Sequence, residues 1–211
     1  MSTPYEGSGR TGQKKRTREA LVVAARELVS QGLVPTIEEA AAAAEISRTT
    51  AYRYFPNQRA LLGAAHPETA ARSLLPDNPP ADPGERLDAA VVMFTALVLG
   101  TEAQQRTMLR LSLEADRDAG AALPLRQGRA IAWFAEAVAP LKGRMSDAQL
   151  HRLVLAIRSA VGIEALVWLT DIAGLSSEQA VEVMRWSASA LLRSAIDHAP
   201  PPVDVPTKGG G

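Results

Sequence analysis

Between Thr36 and Phe55 the chain reads TIEEAAAAAEISRTTAYRYF, and few local folds accommodate that string. Thr36 is a good helix N-cap, with Glu39 three residues later as its capping-box partner. Ile37, Ala40, Ala41 and Ala44 recur at helical spacing. Their small side chains let a second helix cross at close range. Glu45-Ile46 supplies the turn and Ser47 the next cap, while Ala51, Tyr54 and Phe55 anchor the inner face of the following helix. Pro56-Asn57 ends it, because proline cannot continue the helical hydrogen bonds. Two short helices joined in this way form a helix-turn-helix, which lays its second helix in the major groove of duplex DNA.

The outward side chains suit such a groove. Arg48 has the fork that pairs with guanine O6 and N7, and Thr49 and Thr50 can meet a thymine methyl or a phosphate. Tyr52 can pack its ring and still send its hydroxyl to the DNA backbone, with Arg53 beside it. Ser47 and Thr36 can cap their helices and touch phosphate with the same geometry. Upstream, Lys14, Lys15, Arg16 and Arg18 form a basic segment able to follow phosphates or enter the minor groove.

The first 60 residues carry nine basic and six acidic side chains, and the remaining chain has a matching acidic surplus. The formal net charge of +0 therefore hides a weakly basic head on a weakly acidic body. Hydrophobic residues make up 46% but aromatics only 4%, so the core is built mainly from Leu, Val and Ala in helices. Very few runs alternate with period two and carry β-branched residues, which argues against sheet. Without cysteine there are no disulfides and no thiolate chemistry. His66, His151 and His198 stand far apart, so no metal site is expected. No cofactor is expected either. No Ser/His/Asp or paired-carboxylate arrangement supports an enzyme. The N-terminus lacks a signal-peptide core and no run reaches about 18 apolar residues, so a cytoplasmic chain without membrane partners is expected.

Residues 1–13 are expected as a disordered arm, 14–60 as the helix-turn-helix domain, 61–200 as a helical body and 201–211 as a flexible tail. The first helix is predicted from near Thr17 to Gln31, with Gly32 in the left-handed C-terminal position. A fourth is predicted from Gln58 to Leu74 with an interruption at Pro67, and 76–84 is a clear breaker. Further helices are predicted over 85–99, 101–115, 124–141, 147–172 and 177–198.

Taken together, Ala24, Ala25, Leu28, Gly32, Thr36, Ile37 and Ala40, then ISRTTAYRYF, Asn57 and Leu61-Leu62, resemble the TetR (tetracycline repressor-type) family of bacterial transcriptional regulators. The resemblance runs from about Thr17 to Leu62. It implies an all-α protein: a three-helix N-terminal head with a helix-turn-helix, and a C-terminal ligand-binding and dimerisation body. The family usually places a lysine at the start of the fourth helix to meet a phosphate. Here Gln58 stands there with Arg59 behind it, so either Arg59 takes the contact or the phosphate sees a neutral amide and a helix N-terminus.

The resemblance also implies partners: duplex DNA with a palindromic operator, a second copy of the chain, and a small hydrophobic effector whose binding releases a repressor. A body that answers to a protein partner is the alternative. Met93, Met108, Trp133, Phe134 and Trp168 either fill a core or line an adaptable pocket, with Arg110 and Arg158 as its polar groups. For the dimer, the last two helices offer Leu150, Val154 and Val161, then Val181, Met184, Ala188, Leu191 and Leu192. Trp168 and Trp186 add apolar surface, and Ala160, Gly162, Ala188 and Ala190 permit close approach.

Overall fold

Helix formers placed between strong caps give an all-helical chain. The computed structural model describes residues 6–66, 68, 71–114, 128–198 and 200, the side chains of 6–10 and 114 excepted. Ten α-helices form among the described residues: α1 (Glu6–Ser30), α2 (Ile37–Ala43), α3 (Arg48–Tyr54), α4 (Gln58–Ala65), α5 (Pro83–Gly100), α6 (Glu102–Glu114), α7 (Arg129–Ala137), α8 (Asp147–Ala160), α9 (Ile163–Val167) and α10 (Ser177–Asp197). No strand forms among these residues. Residues 1–5 of the expected arm, the interruption at Pro67, the helix ends near 115 and 124, and the tail 201–211 lie outside the described residues.

The chain divides into two compact units, Met1–Thr69 with Thr101–Gln127, and Ala70–Gly100 with Gly128–Gly211. The boundary differs from the one expected at residue 60, because α4 and α6 both belong with the head. In the first unit, Leu21, Val22 and Ala25 of α1 meet Ile37, Ala40 and Ala41 of α2, Ala51 and Phe55, and Leu61 and Ala65 of α4. Five of these ten side chains are alanine, and that is why short helices can cross so closely. A smaller cluster joins Val29, Leu62 and Met108, with Val34 and Leu111 against it.

Helix α1 ends as the sequence predicts. Gly32 takes φ +81°, and the Leu33 N–H donates to the Leu28 carbonyl at 3.1 Å. Its start does not match, since residues 6–13, expected as a loose arm, lie within α1. Gly7 and Gly9 lower helix propensity but do not forbid it. Helix α4 stops at Ala65 rather than Leu74, and no helix forms over 71–82.

The second unit is built on larger side chains. Phe94 of α5 meets Phe134 edge-on at 5.4 Å and Trp133 at 6.2 Å, both from α7. The Trp133 indole N–H donates to the Arg72 carbonyl at 3.0 Å. Arg86 reaches across to the Ala137 and Glu136 carbonyls at 3.1 Å each, satisfying the end of α7. Helix α10 packs on α5 and α8, where Arg185 grips Asp88 through two bonds of 2.9 and 2.8 Å.

The helix predicted over 147–172 is broken. Helix α8 ends at Ala160, Gly162 takes φ +135°, and after α9 a π-helical turn covers Trp168–Ile172. The Arg158 guanidinium fills the break, donating to the Val161 carbonyl at 2.9 Å and to Glu164 at 3.1 Å, with the Phe94 ring 5.5 Å away. At φ +135° and ψ −169° the Gly162 backbone lies in a region essentially reserved for glycine, and a Cβ there would sit 2.5 Å from Arg158 Nη1, which would have to move. By length and composition the stretch Asp147–Ile172 passes for a membrane span, which a count of uninterrupted apolar residues does not reveal. In this fold 44% of its apolar window is buried, and the break divides it.

Candidate nucleic-acid interface

The recognition unit is closed by backbone hydrogen bonds at every joint. Thr36 caps α2: its hydroxyl accepts the Glu39 N–H at 3.2 Å, and its own N–H donates to the Glu39 carboxylate at 2.8 Å. At the far end the Ile46 N–H donates to Ala41 O at 2.8 Å and the Glu45 N–H to Ala42 O at 3.1 Å. This six-to-one pattern demands a left-handed residue, and Glu45 supplies it at φ +55°. Ser47 then caps α3 by accepting the Thr50 N–H at 3.3 Å, while its hydroxyl donates to Thr50 Oγ1 at 2.9 Å. Asn57 caps α4 by accepting the Ala60 N–H at 2.8 Å.

With Ala51 and Phe55 turned inward, α3 presents Arg48, Thr49, Tyr52 and Arg53 to solvent, and Thr50 is half-buried. Lys14, Lys15, Arg16 and Arg18 are exposed along α1. The Arg18 guanidinium lies 5.2 Å from the Phe55 ring centre. That contact ties the basic segment to the end of α3. The groups expected to meet DNA from α3 and from the basic segment are therefore solvent-facing parts of one unit.

Two of these residues are committed to protein contacts, the second of which the sequence does not announce. The Thr36 hydroxyl donates to Glu39 Oε2 at 2.9 Å as well as accepting its N–H, so the capping box already uses it. Gln58, expected near a phosphate, instead donates its side-chain amide to the Val34 and Pro35 carbonyls at 3.3 and 3.0 Å. The physical reason is local: the chain entering α2 leaves two carbonyls without helical partners, and an amide is the donor that reaches both. Arg59 is half-buried, and its Nε is enclosed without a hydrogen-bond partner.

Glu38 is the residue that sequence reasoning missed. It sits in the first turn of α2 and faces α3. A single oxygen, Oε1, accepts the Tyr52 hydroxyl at 2.8 Å and the Arg48 guanidinium at 3.0 Å. Arg48 also lies over the Tyr52 ring, 5.6 Å from its centre. The Tyr52 hydroxyl first, then the backbone at Glu38 and the Arg48 charge, hold the Glu38 carboxyl below the usual carboxylate range. No spacing rule pairs residues 38, 48 and 52; only the steep crossing of α2 and α3 brings them together.

The proposed pocket residues fall in both units. Trp133 and Phe134 are buried with Phe94 in the second unit, whereas Met108 belongs to the core of the first. Met93 and Trp168 are 53% and 59% exposed. Arg110 is exposed on α6, and Arg158 is engaged at the α8–α9 break.

The proposed dimer residues divide between an inward and an outward face. Leu150, Val154, Val161, Met184, Ala188 and Leu192 are buried within their own unit, and only Val181 and Leu191 are partly open. The spacing of the six buried residues marks the inward face of α8 and α10. The outward face holds Trp186, 67% exposed, beside a groove of about 560 Å³ lined also by Ala156, Ser159, Ala160, Ser187, Ala190, Leu191 and Ser194. Broad apolar coverage, read from sequence, does not say which side faces home.

Comparison with known proteins bears on the same head. Residues 20–65 match the family model described as bacterial regulatory proteins, tetR family. No curated protein matches the sequence. Among solved structures, the fold is similar to a TetR transcriptional regulator from Rhodococcus sp. RHA1, at 20% identity and a TM-score of 0.56, covering 86% of this chain and 98% of that one. It is also similar to Thermus thermophilus FadR, a TetR-family transcriptional repressor solved with lauroyl-CoA, at 21% identity and a TM-score of 0.53, covering 92% and 100%. At these identities the likeness is one of fold.

Proposed function

We propose that this chain is a transcriptional regulator of the TetR family, a homodimeric repressor that leaves a palindromic operator when a small hydrophobic molecule binds. The observation that carries this reading is α3, capped by Ser47 and held by Ala51 and Phe55 so that Arg48, Thr49, Tyr52 and Arg53 are exposed to solvent. Arg48 reads a base edge, Tyr52 and Arg53 hold the backbone, and the basic residues of α1 follow the phosphates. The reaction is reversible binding in the cytoplasm, without chemistry on the DNA.

Selection from a randomised duplex pool, followed by footprinting, tests it. A two-fold symmetric site with half-sites one helical turn or a multiple apart is expected. Arg48→Ala is expected to lower discrimination by about 1–3 kcal/mol at one base pair of each half-site. Equal losses on selected and random DNA exclude base reading by Arg48.

Two copies meet through the outward face of α8 and α10, each inserting Trp186 beside the partner's small-residue groove. Exposed tryptophan next to a groove lined by alanine and serine supports that arrangement, because large aromatic anchors in well-shaped recesses carry interface energy. Trp186→Glu is expected to give a folded monomer by sedimentation, since this side chain contributes little to its own core. A dimer of unchanged strength removes α10 from the interface.

The effector reading rests on the family's use of its body as a sensor and on the lauroyl-CoA held by the Thermus thermophilus protein. A ligand admitted among Phe94, Trp133 and Phe134 has to part rings that now touch, so binding and rearrangement are one event. Titration of medium-chain acyl-CoA into the protein–DNA complex, read by anisotropy, checks for release. No change in DNA affinity with acyl-CoA or a hydrophobic library leaves the protein-partner alternative in its place.

A further inference from the structure

Glu38 stands where a DNA-reading helix should want no negative charge. The same carboxylate oxygen takes the Tyr52 hydroxyl and the Arg48 guanidinium, at 2.8 and 3.0 Å, and Arg48 lies over the Tyr52 ring. Arg48 and Tyr52 are four residues apart on α3 and so share its outward face. From α2, Glu38 closes a triangle with both. The Arg48 side chain is 72% exposed, so this arrangement is not forced by burial. An exposed ion pair is worth at most about 1 kcal/mol and opens readily when a stronger acceptor arrives.

That combination separates two kinds of binding. Sequence-independent binding follows the number of free cations that meet phosphates. A carboxylate on Arg48 removes one of them and adds repulsion. Base reading depends on where the guanidinium fork points, and a carboxylate on one nitrogen leaves the remaining N–H donors for a base edge. The Tyr52 hydroxyl bond holds the carboxylate itself in place. Orientation is retained while free charge is lost.

Resting on the DNA-reading role of α3 given above, we propose that Glu38 is a specificity-determining positioning residue: it suppresses phosphate capture by Arg48 and holds Arg48 and Tyr52 in the arrangement that reads the operator.

The test compares full-length wild-type protein, Glu38→Gln and Glu45→Gln on two duplexes of equal length. One is the duplex selected from a randomised pool by the wild-type chain, the other a random sequence. Glu38→Gln keeps an acceptor for Tyr52 and removes the charge from Arg48; Glu45→Gln removes the same charge from the neighbouring turn. For Glu38→Gln, affinity for the random duplex is expected to rise about tenfold at low salt. The log–log salt slope is expected to steepen by about 0.9, as for one added phosphate contact. The ratio of selected to random affinity should fall at least fivefold with the melting temperature unchanged. Glu45→Gln should raise both affinities alike and leave the ratio intact. An unchanged ratio in Glu38→Gln, or the same fall in Glu45→Gln, overturns the proposal while leaving DNA reading in place. A wild-type chain that enriches no sequence overturns DNA reading itself, and the role of Glu38 with it.

Discussion

The two units of this chain solve the same problem, holding short helices together, with opposite materials. In the head, α1, α2 and α3 cross on alanines, with Ala25, Ala40, Ala41 and Ala51 almost fully buried. In the second unit, α5 and α7 meet through Phe94, Trp133 and Phe134. Small residues fix how near two helices come and leave little tolerance for growth. Large rings fill volume and leave little tolerance for loss. A head that must present α3 at one angle gains from the first arrangement; a body that has volume to fill gains from the second.

Truncation in the body is the strongest way to break that contrast. Phe134→Ala is expected to cost about 3–5 kcal/mol in chemical denaturation, because it removes a fully buried ring and the edge contact with Phe94. A loss below about 1 kcal/mol would mean the rings are loosely held. Gly162→Ala comes next, at roughly 3 kcal/mol: the backbone there is nearly closed to other residues, and a Cβ meets Arg158 Nη1 at 2.5 Å. Thermal melts of Gly162→Ala with and without Arg158→Met measure how much of the loss is the collision rather than the backbone.

Enlargement tests the head. Ala51→Leu is expected to cost about 1–3 kcal/mol through overpacking between α2, α3 and Phe55. The loss of DNA affinity should exceed what the fall in stability explains, since the angle of α3 changes. Gly32→Ala is the smallest effect, about 1 kcal/mol by urea denaturation. At φ +81° a Cβ has open space around it and meets only conformational strain. A cost for Gly32→Ala equal to that for Gly162→Ala would erase the distinction between a turn that needs only a conformation and one that also needs room.

The head was legible because its determinants are local. Thr36 with Glu39, Ser47 with Thr50, and Gly32 each act within four residues, and all three do what their spacing predicts. Gln58 and Glu38 were not legible, because their partners lie 24, 23 and 10 to 14 residues away, set by the crossing of helices rather than by period. In the body the sequence identified the apolar stripes of α8 and α10 but not their direction. Leu192 and Trp186 are equally apolar as letters; one fills the core and the other faces out. The break at Gly162 was hidden for a similar reason. A lone glycine in an apolar run gives no sign that an arginine four residues earlier will occupy the space beside it.

Helix α4 is fastened at both ends. The Gln58 amide ties its start to the Val34 and Pro35 carbonyls, and the Arg26 Nε–H ties its end to the Ala65 carbonyl at 3.1 Å. Through this one eight-residue strut the loop before α2 and the helix α1 are fastened to each other, so neither can shift alone without breaking one of these bonds.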